Sequence, residues 1–199
     1  MIQNPFDRGY YNSIELREFG FKFVGEGVKI AKNATILGIE NIEIGDNVRI
    51  DDYVVISAYS GSLTLGNYIH IGAFSYINCA GGVVLSDFSG LSQGVKIYSS
   101  TDDYSGDSLT NPMIPKEYLN LKIEKVTLGK HAIIGAGSIV LPGITINEGV
   151  AVGALSLVNK NLDPWGVYFG SPAKFLKSRS KKLLDLEKLF IHNNKTKSL

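Results

Sequence analysis

Between Val24 and Val158 the chain repeats itself every six residues. Aliphatic side chains stand at Val24, Ile30 and Ile36, at Ile44, Ile50 and Ile56, at Leu65, Ile71 and Ile77, at Leu85, Leu91 and Ile97, at Leu128, Ile134 and Val140, and at Ile146, Val152 and Val158. Valine, isoleucine and leucine make up 55 of the 199 residues, so a register this complete does not arise from composition. Four positions after these anchors the side chain is usually small or β-branched, as at Val28, Ala34, Val48, Val54, Ser75, Ser89, Val95, Thr101, Ala132, Ser138, Val150 and Ser156. A period of six matches neither an α-helix nor plain alternation. Two inward positions in six residues fit a short strand followed by a sharp turn, the unit of a parallel β-helix.

Three hexapeptides then close one triangular coil, and six coils are expected. With strands ~4.8 Å apart they make a prism roughly 29 Å long. Each coil buries its aliphatic row against its neighbours, so no coil is stable alone. The steps between triplets, from Ile36 to Ile44, Ile56 to Leu65, Ile77 to Leu85, Ile97 to Leu128 and Val140 to Ile146, put every insertion at one corner. The longest insertion, 102–127, carries Pro112, Pro115 and several Asp and Tyr residues. Loops of this length in compact domains usually serve function or are disordered, and function is the expectation here.

The expected organisation is an N-terminal cap over 1–23, the β-helix over 24–162 and a C-terminal turn and helix over 163–199. Ser13 is the expected N-cap of a short helix that ends at Gly20, with Tyr10, Tyr11, Phe19, Phe21 and Phe23 plugging the first coil. Leu183, Leu186, Leu189 and Phe190 recur at helical spacing within 180–192, an amphipathic helix expected to cap the other end, followed by a fraying polar tail over 193–199. Net charge is +1 with both signs dispersed, which argues against a nucleic-acid partner or a basic membrane surface. No apolar run approaches the ~20 residues that span a bilayer, and the N-terminus has no leader pattern, so a cytoplasmic protein without membrane insertion is expected. Cys79 is the only cysteine. It excludes an internal disulfide and a cysteine-cluster metal site, and reads as a free thiol near a corner.

The hexapeptide rungs, together with IGAGSIVLPG over Ile134 to Gly143, VGALSLV over Val152 to Val158 and GSPAKFLKSR over Gly170 to Arg179, resemble the left-handed β-helix acyltransferases, in particular the sugar acetyltransferases. The resemblance covers roughly Val24 to Arg179. It implies the left hand of the helix, which chirality rules for parallel crossovers do not. It also implies acetyl-coenzyme A as co-substrate and a long loop that covers the acceptor. The run from Tyr98 to Gly106 is similar to bacterial surface-sugar acyltransferases, some of which act on nucleotide-linked amino sugars. On this resemblance Tyr98, Asp103 and Tyr104 fall on the acceptor side.

Many members of the resembled family close the rung before the loop with a general-base histidine. Asp102 takes that slot here. An aspartate, with an ordinary pKa of about 3.9, is a much weaker base and would need burial to serve. The histidine that remains in play is His70, which precedes inward Ile71 and so points outward. His131 reads as a solvated corner residue and His192 belongs to the terminal helix. A neutral imidazole can take the proton of an attacking amine or hydroxyl. His70 and Asp102 lie in different coils at different corners, so a shared site calls for a cyclic homotrimer whose faces meet heterologously.

For the donor, Gly135, Ala136, Gly137, Ser138 and Ala154 offer a surface poor in side chains for an extended pantetheine arm, and equally read as tight corners. Lys174, Lys177 and Arg179 are candidates for the coenzyme A phosphates, or ordinary surface. The leading expectation is N-acetylation of a nucleotide-linked amino sugar for surface polysaccharide synthesis. O-acetylation of a glycan or galactoside and a non-catalytic β-helix scaffold are the alternatives. Three scattered histidines fit no metal-dependent β-helix enzyme.

Overall fold

A computed structural model describes residue 4 and residues 6–197. Its body is a three-sided parallel β-helix. Face one stacks Phe23–Val24, Ile42–Ile44, Leu63–Leu65, Val83–Leu85, Val126–Leu128 and Thr145–Ile146. Face two stacks Lys29–Ala31, Arg49–Ile50, His70–Ile71, Gly90–Leu91, Ile133–Ile134, Ala151–Val152 and Gly166–Phe169. Face three stacks Thr35–Leu37, Val55–Ser57, Tyr76–Asn78, Lys96–Tyr98, Ile139–Val140 and Leu157–Val158. Six full coils are therefore followed by the start of a seventh, because Gly166–Phe169 pairs in parallel with Ala151–Val152 beyond residue 162.

The pairing register is the one the hexapeptides require. Ile30 lies opposite Ile50, Ile50 opposite Ile71, Ile71 opposite Leu91 and Leu91 opposite Ile134. All eighteen anchors are buried except Ile36, which is partly covered at the open first coil. Most of the second inward row is buried with them. Ala34, at the open first coil, and Thr101 are only partly buried, the latter because strand Ser100–Thr101 leaves the coil to pair antiparallel with Lys122–Ile123 at the neck of the long insertion. Cys79 is fully buried, and burial pushes its thiol up to about 12, which leaves it chemically quiet.

Polar ladders bind coil to coil at the corner between faces one and two. The backbone N–H groups of Glu26, Asp46 and Asn67 donate to the side-chain oxygens of Asp46, Asn67 and Asp87, each at 2.7 Å. At the next corner Ser138 turns inward and its hydroxyl donates to the Gly153 carbonyl at 3.0 Å.

Helix α1 (Ser13–Glu18) is capped by Asn12, one residue before the expected Ser13. The Asn12 side chain accepts from the N–H groups of Ile14 and Glu15 while Glu15 accepts from Asn12, a reciprocal capping box. Ser13 is instead buried, where its hydroxyl accepts from the Val28 N–H at 2.9 Å. Leu16 seals the first coil with help from Tyr11 and Phe21, whereas Phe19 and Phe23 stay exposed. Strands Tyr10–Asn12 and Lys174–Ser178 pair antiparallel on the two edges of face two and cover its unpaired groups.

Helix α2 (Leu183–Lys197) starts and ends later than the 180–192 pattern, and continues through part of the expected tail; residues 198–199 lie outside the described residues. It lies along the corner between faces one and two. Phe190 meets the rings of Tyr68 and Phe88 edge-on, at 5.1 and 6.1 Å. Glu187 accepts from Lys130 and from His131 Nε2, the latter at 2.8 Å. His131 is thus no solvated corner residue: it is 9% exposed and stacks on Phe88. Leu186 and Leu189, half of the predicted apolar stripe, face solvent.

Burial pushes the Glu187 carboxyl up, but the bonds and charges of Lys130 and His131 outweigh it and hold the group below its ordinary value. Stability from such a group is present above the unfolded pKa of about 4.3 and is lost as pH falls through the folded value. Glu187→Gln is therefore expected to weaken hydrogen-exchange protection of α2 at pH 7 by about 1–3 kcal/mol, with the gap to wild type closing below about pH 4. No gap at pH 7 would show that aromatic packing alone holds the helix.

Candidate active site

The outward column of face two runs Lys29, Arg49, His70, Gly90, Ile133, Ala151 and Val167. His70 stands on it half exposed, its Nε2 2.7 Å from the Asp51 carboxylate. An ionised carboxylate only accepts, so Nε2 carries the proton and Nδ1 is left as the ring nitrogen able to take another. Asp51 is itself fixed by Arg49 Nε at 2.7 Å, and Arg49 also donates to the Tyr10 hydroxyl at 3.0 Å. Burial raises the Asp51 pKa, but its hydrogen bonds from His70 and Arg49 prevail and keep it below the usual carboxylate value. Tyr10 thus supports this network rather than the N-terminal plug. Asp51 comes one residue after the inward anchor Ile50, but nothing in the linear pattern pairs it with a histidine nineteen residues on.

His70 opens onto a cleft of about 200 Å³ shared with Gly90, Leu91, Ser92, Gln93 and Ile133. The side chains of Ser92 and Gln93 make no hydrogen bond among the described residues, so the cleft keeps a free hydroxyl and a free carboxamide beside the imidazole. The sequence pattern singles out neither, because both fall in the turn between the anchors Leu91 and Ile97. In the next coil, Gly135 and Ala136 continue the corner below them, and the Gly137 N–H donates to the Gln93 carbonyl. Two aromatic rings, Tyr53 and Phe74, stack 5.2 Å apart higher on this corner and remain exposed.

The expected donor residues fall in different places on the prism. Ala136, Gly137 and exposed Ala154 lie on the corner strip that continues from the cleft. Gly135 is also there, though a side chain at it would meet the Ala154 backbone nitrogen at 2.5 Å, so coil stacking already requires that glycine. Ser138 is fully buried and offers nothing to a ligand. Lys174 and Lys177 are exposed, opposite Phe169 and Val167 on the strand that edges face two. Arg179 is drawn to a different corner, where its guanidinium donates to the carbonyls of His131, Gly149 and Val150.

On the acceptor side, Asp102 is partly exposed, and one of its oxygens accepts from the Asn111 N–H at 3.4 Å. The burial that an aspartate base would need is absent. The Asp103 carboxylate is occupied by the Ser105 N–H and the Ser105 and Ser108 hydroxyls, bonds that lower its pKa and knot the loop. Tyr98 packs beside Tyr76, and burial raises its hydroxyl pKa, with Tyr76 and Tyr104 adding to it. Tyr104 is 92% exposed. Asp102 follows the corner between faces three and one, so within one chain the prism core separates it from His70. Among the described residues no group of histidine, cysteine or carboxylate side chains could hold a metal ion, and no helix is long and apolar enough to cross a membrane.

No protein-family model matches the chain. A dTDP-4-amino-4,6-dideoxy-D-glucose acyltransferase of Escherichia coli is 49% identical over 91% of this chain and 94% of its own length. AntD, an N-acyltransferase from Bacillus cereus, has been solved with dTDP and 3-hydroxybutyryl-coenzyme A; it is 42% identical, covers 94% of this chain and 99% of its own, and superposes with a TM-score of 0.90. A serine-to-alanine variant of AntD, in complex with dTDP-4-amino-4,6-dideoxyglucose and coenzyme A, matches with the same identity, coverage and TM-score. With a β-helix of this register and relatives this similar along almost the whole chain, the protein belongs to the hexapeptide-repeat, left-handed β-helix acyltransferases, in the branch that acylates nucleotide-linked amino sugars.

Proposed function

We propose that this protein transfers an acyl group from acyl-coenzyme A to the amino group of a dTDP-linked 4-amino sugar, with His70 as general base. The carrying observation is the His70–Asp51 pair, whose fixed tautomer leaves Nδ1 free beside a cleft that runs into the small-residue corner. The amine attacks the thioester carbonyl, forming the C–N bond as the C–S bond breaks. His70 takes the proton that the amine loses and returns it to the departing thiolate, so the products are the amide and coenzyme A. The Ser92 hydroxyl and the Gln93 carboxamide are the donors available for the carbonyl oxygen as it gains charge.

The donor lies along Ala136, Gly137 and Ala154 in this reading, with Lys174 and Lys177 toward its phosphates. Asp102, Tyr98 and the long insertion bind the acceptor and come from a neighbouring copy of the chain in a cyclic trimer. Heterologous contact of two different prism faces supports this arrangement, as do Tyr104 and Met113, which project from the loop 92% and 87% exposed. A cytoplasmic location accords with a single reduced thiol and with these two substrates.

Sedimentation at micromolar concentration is expected to give a trimer; a monomer would remove the shared site. His70→Ala is expected to lower kcat with acetyl-coenzyme A and dTDP-4-amino-4,6-dideoxyglucose by roughly 10²–10⁴-fold, and the deficit should shrink as pH rises and more of the amine is unprotonated. Asp51→Asn, which can present an N–H to Nε2 and reverse the tautomer, should cost about tenfold or more. Near-normal turnover of His70→Ala with a dead Asp102→Asn would move the base to Asp102. Shortening the loop between Ser105 and Glu124 is expected to abolish transfer while leaving coenzyme A affinity intact, and a matching loss of that affinity would show that the loop also serves the donor.

A further inference from the structure

Gly90 is the glycine whose absence of a side chain the fold itself does not explain. Each of the other glycines either has a left-handed φ or would drive a Cβ to within 3.0 Å of a neighbouring atom. Gly72 and Gly135, for example, occupy equivalent corner positions where a Cβ would collide with the next coil at 2.8 and 2.5 Å. At Gly90 the backbone is an ordinary strand, paired with His70 on one side and Ile133 on the other, and a Cβ would meet only the His70 carbonyl, at 3.5 Å. Glycine inside a strand is costly, and it marks a place where something else approaches the backbone closely. The empty position lies in the cleft between the proposed base and the exposed, apolar Ile133.

In the reading of the cleft given above, the amine comes beside His70 and the donor sulfur from the corner that Ser92 and Gln93 occupy. The acyl chain, attached to the carbon where these two meet, has Gly90 beneath it and Ile133 beside it. We infer that Gly90 is a specificity-determining residue that makes room for an acyl group longer than acetyl. This inference rests on the reading of the cleft given above. Ile133 supplies apolar contact to the chain.

The test compares acetyl-, butyryl- and 3-hydroxybutyryl-coenzyme A as donors to dTDP-4-amino-4,6-dideoxyglucose, using wild type, Gly90→Ala and Gly90→Val. Wild type is expected to use at least one four-carbon donor as well as or better than acetyl-coenzyme A. Gly90→Ala should lower kcat/KM for the four-carbon donors at least tenfold relative to acetyl, with Gly90→Val more severe, while the KM for the sugar and the sedimentation mass stay unchanged; one methylene in a closed pocket typically discriminates by 10–200-fold. An equal loss with all donors, a raised KM for the sugar, or a change of assembly would overturn the proposal and assign the gap to the acceptor or to a neighbouring copy. Wild type that transfers no acyl group from any donor would instead overturn the underlying reading of the cleft.

Discussion

Everything in this molecule depends on aliphatic rows stacking coil on coil. A buried Ile or Leu contributes roughly 1.5–3 kcal/mol, and each anchor is covered by the anchors above and below, so the register of one coil is set by its neighbours. A slip of one residue would turn an entire row outward, and no single coil can afford that without its neighbours. The consequence reaches the surface. Residues about twenty apart in the chain, such as Asp51 and His70, or His70 and Gly90, become lateral neighbours because the core beneath them permits no other pairing.

That rigidity divides the three corners by task. Between faces one and two, Asp and Asn ladders and an aromatic column bind the coils together and receive α2 through Phe190 and Glu187. Between faces two and three, Ser92 and Gln93 line the cleft onto which His70 opens. Between faces three and one, the chain can lengthen without disturbing the stack, and the loop of 102–127 does so. Strand Ser100–Thr101 pairs with Lys122–Ile123 and closes the neck of that loop, so its two ends leave and rejoin the prism at the same place. A scaffold that fixes backbone to this degree suits acyl transfer, where much of the rate comes from holding two reactants in line.

The site also shows how one chemical type of residue takes different roles by position. Asp51 and Glu187 each accept from a histidine, yet Asp51 holds a half-exposed imidazole that opens onto a cleft, while Glu187 closes over a buried one and fastens a helix. Ser92 and Ser138 stand in the corners of successive coils. Ser138 points inward and serves the Gly153 carbonyl, whereas Ser92 lines the cleft with its hydroxyl unengaged. The direction of the side chain, set by the local turn, decides whether the hydroxyl is sealed in the stack or left at the surface.

By itself the sequence determined the prism: the six-residue period dictates which side chains turn inward, the insertions mark one corner, and the outward direction of His70 follows from inward Ile71. The segments of the tail and rungs carried the family resemblance. Tertiary structure alone decided the rest, because the period sets which backbones lie side by side but not which side chains reach one another across coils. Asp51 reaches His70 across a strand pair, His131 is buried by a helix fifty residues later, Arg179 folds onto carbonyls of a different corner, and Ser138 is sealed inside. Periodicity encodes what each residue does within its own coil, and a site is made by what one coil presents to the next.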